Sequence, residues 1–152
     1  PSPVRPERSI ATNRQARFRY ELLDRWEAGL MLLGSEVKAL RAGTVSLLDA
    51  YVRFRGEEAW LANCHIGPYS HATAQPHDPL RERKLLLRKT ELAKLQKAVQ
   101  QKGLTIVPTK LYFSGDFVKI EIALAKGKKT HDKRESIKQR DVERRARRGD
   151  HD

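Results

Sequence analysis

The sequence predicts a mainly β protein with flanking helices: an antiparallel β-barrel followed by a basic C-terminal tail. Several segments alternate apolar and polar residues with a period of two, which is typical of strands that bury one face. Short turns rich in glycine join these segments as hairpins. The 152 residues are enough for one domain of about five strands and two inserted helices. This count favours an OB-like barrel, closed or partly open, and a plain α+β sandwich is the alternative.

The N-terminal region predicts a flexible arm and then a strand. Residues 1–12 contain three prolines and two arginines, so we expect them to lack regular structure. The folded domain begins at Asn13 and runs to residue 125. Its first strand is predicted around Phe18, Tyr20 and Leu22, because these apolar residues alternate with charged ones.

Two segments predict helices. Residues 34–43 place apolar residues on one face, with Ser35 as a candidate N-cap and Gly43 as the terminating residue. Residues 88–102 repeat leucine and valine at helical spacing, with lysines opposite, and Gly103 follows.

Two hairpins are predicted. Alternation over residues 48–54, a turn at 56–58 and a returning strand at 59–66 indicate the first, and a loop at 63–79 follows it. Residues 104–113 and 117–124 indicate the second. Pro108 places its strand at a sheet edge or at a bulge, because proline has no N–H to donate.

Residues 126–152 differ in composition from the rest and predict a basic tail. They hold 11 Lys or Arg against 6 Asp or Glu, with only Ile137, Val142 and Ala146 as apolar residues. Such a segment buries too little surface to offset its ordering entropy, so we expect it to be disordered alone. It contains no proline, so a helix can form where a partner supplies contacts.

The charge balance predicts a polyanionic partner. Formal net charge is +12 at pH 7, which favours nucleic acid over an anionic membrane or a merely solvated surface. No apolar stretch is long enough to span a bilayer, and no secretory signal is evident, so we expect a cytoplasmic protein without membrane contacts. The single Cys64 excludes an intramolecular disulfide and a multi-cysteine zinc site, and fits a buried structural thiol.

The sequence offers little catalytic chemistry. His65, His71 and His77 share no helical face, so we expect no metal site and no cofactor. His131, between lysines and beside Asp132, could serve as a base for RNA cleavage, but catalysis needs a rigid setting that the tail lacks. We therefore predict no enzyme, and keep ribonuclease activity as an alternative.

Two basic clusters predict contacts with RNA. Arg14, Arg17 and Arg19 flank aromatic residues, and residues 81–89 hold five cations around three leucines. Basic side chains interleaved with aromatics on a β-surface bind phosphates and bases. The alternative is that the aromatics are core and the cations are solvated.

Four strings occur in an order that resembles one family: EAGLMLLGSEVKALRAG at 27–43, HDPLRERKLLL at 77–87, KGLTIVPTKLYF at 102–113 and AKGKKTHDKR at 125–134. They resemble the SsrA-binding proteins (small protein B), the bacterial partners of transfer-messenger RNA. The resemblance covers residues 13–148, nearly the whole chain. It implies a non-enzymatic adaptor of trans-translation, and we expect a monomer. Such an adaptor binds the tRNA-like domain of transfer-messenger RNA and brings it to stalled ribosomes.

The resemblance also implies site residues. Family positions that grip the tRNA-like domain fall on Asn13, Glu27, Leu86 and Lys119, and we add the basic residues Arg14, Lys38, Arg83 and Lys84. Family positions that engage the small-subunit rRNA at the decoding centre and the empty mRNA channel, where the tail becomes helical, fall in the tail. They are Gly127, Lys128, Lys129, His131, Asp132, Lys133 and Arg134. A basic ribosome-associated RNA-binding protein is the alternative function.

Overall fold

A computed structural model describes residues 7–67 and 77–127. Within these residues the chain forms nine strands and three helices. The strands are β1 Glu7–Thr12, β2 Tyr20–Leu30, β3 Val45–Ser46, β4 Tyr51–Arg55, β5 Glu58–Ala62, β6 His65–Ile66, β7 Arg83–Leu86, β8 Thr105–Ser114 and β9 Phe117–Gly127. The helices are α1 Ala16–Arg19, α2 Gly34–Arg41 and α3 Lys89–Lys102.

Seven of these strands form one antiparallel sheet in the order β1-β8-β9-β2-β7-β5-β4, and β3 pairs with β6 separately. The large sheet curls, because its edge strand β4 packs against β8 near the other edge. Asn13 links the two sides of this contact between β4 and β8, which we call the barrel seam. Its Nδ2 donates to the carbonyl of Pro108 on β8 at 3.0 Å and to the carbonyl of Leu47 ahead of β4 at 3.2 Å. The result is a partly open, OB-like antiparallel barrel with flanking helices, as the sequence predicts.

The interior of the barrel is apolar. The alternation in β9 is confirmed, since Val118, Ile120, Ile122 and Leu124 all belong to the main core. The burial of these side chains, together with leucines of the other strands, is the dominant favourable term in folding. A smaller cluster lies on the other side of the sheet, where Ala16 of α1 covers Val107, Ala125 and their neighbours. The sheet therefore has a second, outer face that α1 covers only at one end.

Both predicted helices are confirmed. The predicted cap of α2 at Ser35 is wrong, because the N-cap is Leu33, two residues earlier. Its N–H donates to Oε1 of Glu36 at 2.7 Å. Gly43 follows the helix with a φ of +79°, a left-handed conformation that costs glycine little. Helix α3 is likewise followed by Gly103 and buries Leu95 against the core.

The second hairpin is confirmed as the pair β8–β9. Pro108 lies at a bulge and not at an edge, because β8 has β1 on one side and β9 on the other. The register shifts between Pro108 and Lys110, so β8 carries an extra residue where proline cannot donate.

Four predicted boundaries are wrong. Residues 7–12 of the expected arm form β1, which adds to the free edge of β8 through main-chain pairing that composition does not reveal. The residues 16–19, where alternation indicated a strand, form α1, because burying Ala16 overrides the alternation. Residues 83–86, read only as a basic cluster, form β7. The strand β9 continues through Gly127, so two residues assigned to the tail belong to the barrel.

Candidate nucleic-acid interface

The outer face of the sheet brings predicted site residues together from three strands. Gly29 on β2 lies opposite Lys119 on β9 and opposite Leu86 on β7. Because directly paired residues point to the same face of a sheet, these three positions form one row. Glu27 lies two residues before Gly29 and Lys84 two residues before Leu86, so both share that face.

This row forms the floor of a groove of about 920 Å³. Glu27, Lys84, Leu86 and Lys119, all predicted from the sequence, line it. The first half of α3 and the turn between β4 and β5 form its walls. The groove therefore joins two lysines, a carboxylate and an apolar side chain that are distant in the sequence.

The walls add charges of both signs. They contribute Glu57, Glu58 and Glu91 as well as Arg88 and Lys89. Cations bind phosphate oxygens, and carboxylates accept from the amino groups of bases. A groove with both kinds of group suits a nucleic acid better than a simple anion.

Glu27 is held by a hydroxyl group. The hydroxyl of Tyr112 on β8 donates to Oε2 of Glu27. Tyr112 is 5% exposed, and burial, followed by the hydrogen bond and the charge of Glu27, raises the pKa of its phenol. The phenol therefore stays protonated at neutral pH and keeps donating, which fixes the carboxylate with its other oxygen available.

Leu86 and Lys84 are accessible in different ways. Leu86 is 51% exposed at the floor of the groove, a position that suits contact with the face of a base or a sugar. The Nζ of Lys84 lies 2.7 Å from Oε2 of Glu58 on the neighbouring strand. This pair is half-exposed, so it orients the ammonium group and adds little to stability.

The prediction of Arg83 as an RNA contact is wrong. This residue lies on β7 between Lys84 and Glu82, but its side chain points to the interior and is fully buried. Its Nε donates to Oε2 of Glu36 on α2 at 2.5 Å, and its Nη1 donates to the carbonyl of Cys64 at 2.6 Å. The period of two in β7 explains the error, because neighbouring residues of a strand point to opposite faces.

The buried pair shapes the electrostatics of the interior. Burial alone would raise the pKa of Glu36, but hydrogen bonds from Arg81, from the N–H of Leu33 and from Arg83 outweigh burial and lower it. The carboxylate is therefore ionised and links α2 to β7.

Cys64 is the buried structural residue that the sequence predicts. It lies between β5 and β6 with 1% exposure, and burial raises the pKa of its thiol to about 11. His65 next to it is exposed. His77 is buried, and its Nε2 contacts the carbonyl of Ile66 at 2.8 Å. Residues 7–67 and 77–127 contain no cluster of three metal-binding side chains.

The remaining predicted residues of the barrel are dispersed. Asn13 is 9% exposed, and its amide is used at the barrel seam. Arg14 is exposed beside it and lines a second depression, together with Arg17 of α1. Lys38 is exposed on α2 and lines neither depression. Four residues predicted from the sequence therefore line the groove, and two, Asn13 and Arg14, line the second depression.

The predicted tail residues start where the barrel ends. Gly127, the last residue of β9, lies opposite Tyr20. It is eight residues from Lys119, a distance of about 26 Å along a strand. Lys128, Lys129, His131, Asp132, Lys133 and Arg134 lie outside the described residues.

Sequence reasoning missed several residues of the outer face. Tyr112, Gly29, Arg25 and Lys110 join the predicted residues only through the pairing of β2, β8 and β9. The alternation in each strand predicted which of its residues share a face, but it did not predict which residues of other strands lie beside them on that face. Pairing between distant strands is the missing information.

No helix in the described part of the chain is long and apolar enough to cross a membrane.

Comparison with known proteins identifies the family. The profile of the SmpB protein family matches residues 10–151. The SsrA-binding protein of Oleidesulfovibrio alaskensis is 57% identical over 139 residues, which cover 91% of this chain and 90% of that protein. The SsrA-binding protein of Thermosynechococcus vestitus is 56% identical over 134 residues, which cover 86% of this chain and 87% of that protein. A solved structure described as "tmRNA-SmpB: a journey to the center of the bacterial ribosome" matches with a TM-score of 0.70 and 44% identity, over 86% of this chain and 95% of that one. The chain belongs to the SmpB protein family.

Proposed function

We propose that this chain is an RNA-binding adaptor of trans-translation, which binds the tRNA-like domain of transfer-messenger RNA and delivers it to stalled ribosomes. One observation carries this proposal: Glu27, Lys84, Leu86 and Lys119 converge in one groove of the outer face. Membership of a family of SsrA-binding proteins supports the identity of the RNA. A solved relative named for transfer-messenger RNA and the bacterial ribosome supports the second partner.

The groove performs this task by shape and a few directed contacts. Lys84 and Lys119 bind phosphates, Glu27 accepts from base amino groups and Leu86 packs against a base or sugar. A folded RNA presents these groups at fixed distances, so a rigid sheet distinguishes it from a flexible strand. Recognition of this kind needs no catalytic group, so the protein is an adaptor and not an enzyme.

The tail is the second contact in this proposal. The segment that follows Gly127 enters the decoding centre and the empty mRNA channel, and becomes helical there. Its start lies about 26 Å along β9 from Lys119, which lets the groove and the tail serve two RNA surfaces. A cationic segment that becomes ordered only on its partner loses conformational entropy only when it binds that partner.

The protein acts as a monomer in the cytoplasm, where ribosomes and transfer-messenger RNA meet. The single cysteine, Cys64, is free and buried, which fits that compartment.

Equilibrium binding tests the groove. The isolated tRNA-like domain is titrated with the protein, with an elongator tRNA as competitor, across a salt series. We expect a preference of about tenfold or more for the tRNA-like domain, or about 1.4 kcal/mol, which survives rising salt. Equal binding of the two RNAs, with affinity that collapses as salt rises, would leave only non-specific charge attraction.

A tail variant tests the division of labour. Lys133→Ala with Arg134→Ala is expected to keep wild-type affinity for the tRNA-like domain and to abolish peptide tagging on stalled ribosomes. Loss of affinity in this variant contradicts separate roles for groove and tail.

Cleavage of RNA by the purified protein, lost in His131→Ala, would support the ribonuclease alternative. Retention on all ribosomes after a salt wash would support the alternative of a general ribosome-associated protein.

A further inference from the structure

Three strands carry an extra residue around one region of the outer face. Bulges bend a strand and change the direction of its side chains, and they are concentrated next to functional sites. The register shifts lie between Ser9 and Ala11 on β1, between Leu22 and Arg25 on β2, and between Pro108 and Lys110 on β8. The shifts on β2 and β8 border a second depression, which we call the arginine cleft, since Leu22, Arg25 and Lys110 line it.

The arginine cleft has a volume of about 470 Å³. Its polar rim consists of four cations and one carboxylate: Arg14, Arg17, Arg25, Lys110 and Glu121. Its floor is formed by uncharged residues, among them Leu22, Asn13 and Thr109. The cleft is therefore a concave surface with a clear excess of positive charge.

The single carboxylate is occupied by protein groups. Glu121 accepts from the hydroxyl of Thr109, and the Nη1 of Arg25 lies 3.5 Å from its Oε2. Its side chain is 22% exposed, whereas that of Arg25 is 40% exposed. Glu121 thus orients Arg25 at the rim and leaves the cleft attractive to anions.

The cleft and the groove lie on one continuous face. Glu121 on β9 lies opposite Lys110 on β8 and, on its other side, opposite Glu27 on β2, so the three residues form one row across the face. The next row of the same face contains Lys119 and Gly29 at the floor of the groove. Arg25 lies opposite Ala123, four residues along β9 from Lys119, or about 13 Å. This distance corresponds to a few nucleotides of RNA backbone.

We propose that the groove and the arginine cleft form one track for a single RNA, in which the cleft binds backbone phosphates next to the nucleotides held in the groove. The proposal rests on the function proposed above and adds Arg25 and Lys110 to the RNA contacts. Continuity of the outer face favours the tRNA-like domain as the occupant of the cleft. Ribosomal RNA is the competing occupant, because α1 and its arginines lie near Gly127, where the tail begins.

The test uses the full-length double variant Arg25→Gln with Lys110→Gln. Each lost phosphate contact lowers the slope of log affinity against log salt by about 1. We therefore expect the salt slope for the isolated tRNA-like domain to fall by about 2, and affinity at low salt to fall by at least tenfold. The matched control is Lys94→Gln with Lys97→Gln, which removes the same charge from exposed positions of α3 that line neither depression. It is expected to change the slope much less.

Two results would overturn the proposal. If both double variants lower the slope equally, net charge alone accounts for the effect. If the cleft variant binds the tRNA-like domain normally but its complex binds stalled ribosomes more weakly, the cleft serves ribosomal RNA. Thermal unfolding of each variant confirms that it is folded. Wild-type preference for the tRNA-like domain is measured in the same series, so failure of the proposed function is recognised separately.

Discussion

The hydroxyl of Tyr112 donates to the carboxylate of Glu27 across an intervening strand. Tyr112 lies on β8 and Glu27 on β2, with β9 between them. The hydrogen bond crosses the row of the outer face that contains Lys119. Because the phenol is buried and its pKa is raised, it remains a donor at every physiological pH. The carboxylate is thus presented to the groove in one orientation.

Tyr112→Phe is expected to weaken binding of the tRNA-like domain without unfolding the protein. The ring and its packing stay, while the hydrogen bond that orients Glu27 is lost. The hydrogen bond is present in the free protein as well as in the complex, so its loss affects affinity only through the orientation of Glu27, and affinity should fall by several-fold. Equilibrium binding at fixed salt measures the change, with Tyr51→Phe, an exposed tyrosine on β4, as the control.

A double-mutant cycle distinguishes orientation from a separate contact. If Tyr112 acts through Glu27, the combined variant Tyr112→Phe with Glu27→Ala should bind no more weakly than Glu27→Ala alone, because alanine leaves the hydroxyl no acceptor at that position. Additive losses would mean that Tyr112 contacts RNA itself. Unchanged affinity in Tyr112→Phe would remove it from the site.

Gly29→Ala is expected to impair binding at the floor of the groove. A Cβ at Gly29 would lie 3.2 Å from Cβ of Leu86 and 3.3 Å from its Cδ1. Cδ1 can rotate away, but Cβ is fixed to β7, so Leu86 must shift. Affinity for the tRNA-like domain should fall by several-fold while stability changes little, because Leu86 is exposed. Gly34→Ala is the control, since nothing lies within 4 Å of its added Cβ. Equal affinity in both variants would argue against a contact at Leu86.

Local patterns predicted most of the fold. Helices α2 and α3 follow from apolar spacing and terminating glycines, and the hairpin β8–β9 follows from alternation around a turn. Strand β1 could not be predicted, because its pairing with β8 uses main-chain groups that every residue has. Strand β7 could not be predicted because Arg83 and Lys84 are both cations and show no apolar–polar alternation, although Arg83 is buried and Lys84 is half-exposed.

The candidate site was predicted unevenly. Glu27, Leu86 and Lys119 came from resemblance, and the structure brings them together by pairing that spans the chain. Arg83 was assigned to the surface because it lies in a basic cluster of the sequence. The sequence does not show that Glu36 pairs with its guanidinium group inside the barrel. The groove partner Tyr112 had no signal of its own, since a tyrosine in an apolar strand is usually core.

Asn13→Ala is expected to destabilise the barrel, and to affect RNA binding only through Arg14 beside it. The carbonyls of Leu47 and Pro108 would lose their shared donor, at a cost of about 1–3 kcal/mol. Urea unfolding measures this loss, with Thr12→Ala, an exposed neighbour, as the control. At a temperature where the variant is fully folded, affinity for the tRNA-like domain should stay within a few-fold of wild type. A much larger loss in the folded variant would show that the amide contacts RNA directly.

The buried pair of Glu36 and Arg83 predicts loss of stability in acid. The pKa of Glu36 is lowered from its ordinary value of 4.5 in the folded protein, so the unfolded chain binds the proton more tightly. The stability that this carboxylate contributes is therefore complete above pH 4.5 and is lost as the pH falls through the lower folded pKa.

Urea unfolding from neutral pH to about pH 3 should show a steeper fall in the free energy of unfolding for wild type than for Glu36→Gln, which cannot titrate. Glu57→Gln, in the exposed turn before β5, should retain the wild-type slope. Arg83→Met removes one of the two arginines that pair with the carboxylate, and because Arg81 remains, the loss of stability at neutral pH should be smaller than the roughly 3–5 kcal/mol of a fully unpaired buried charge. Parallel acid profiles for wild type and Glu36→Gln would mean that other carboxylates control acid unfolding.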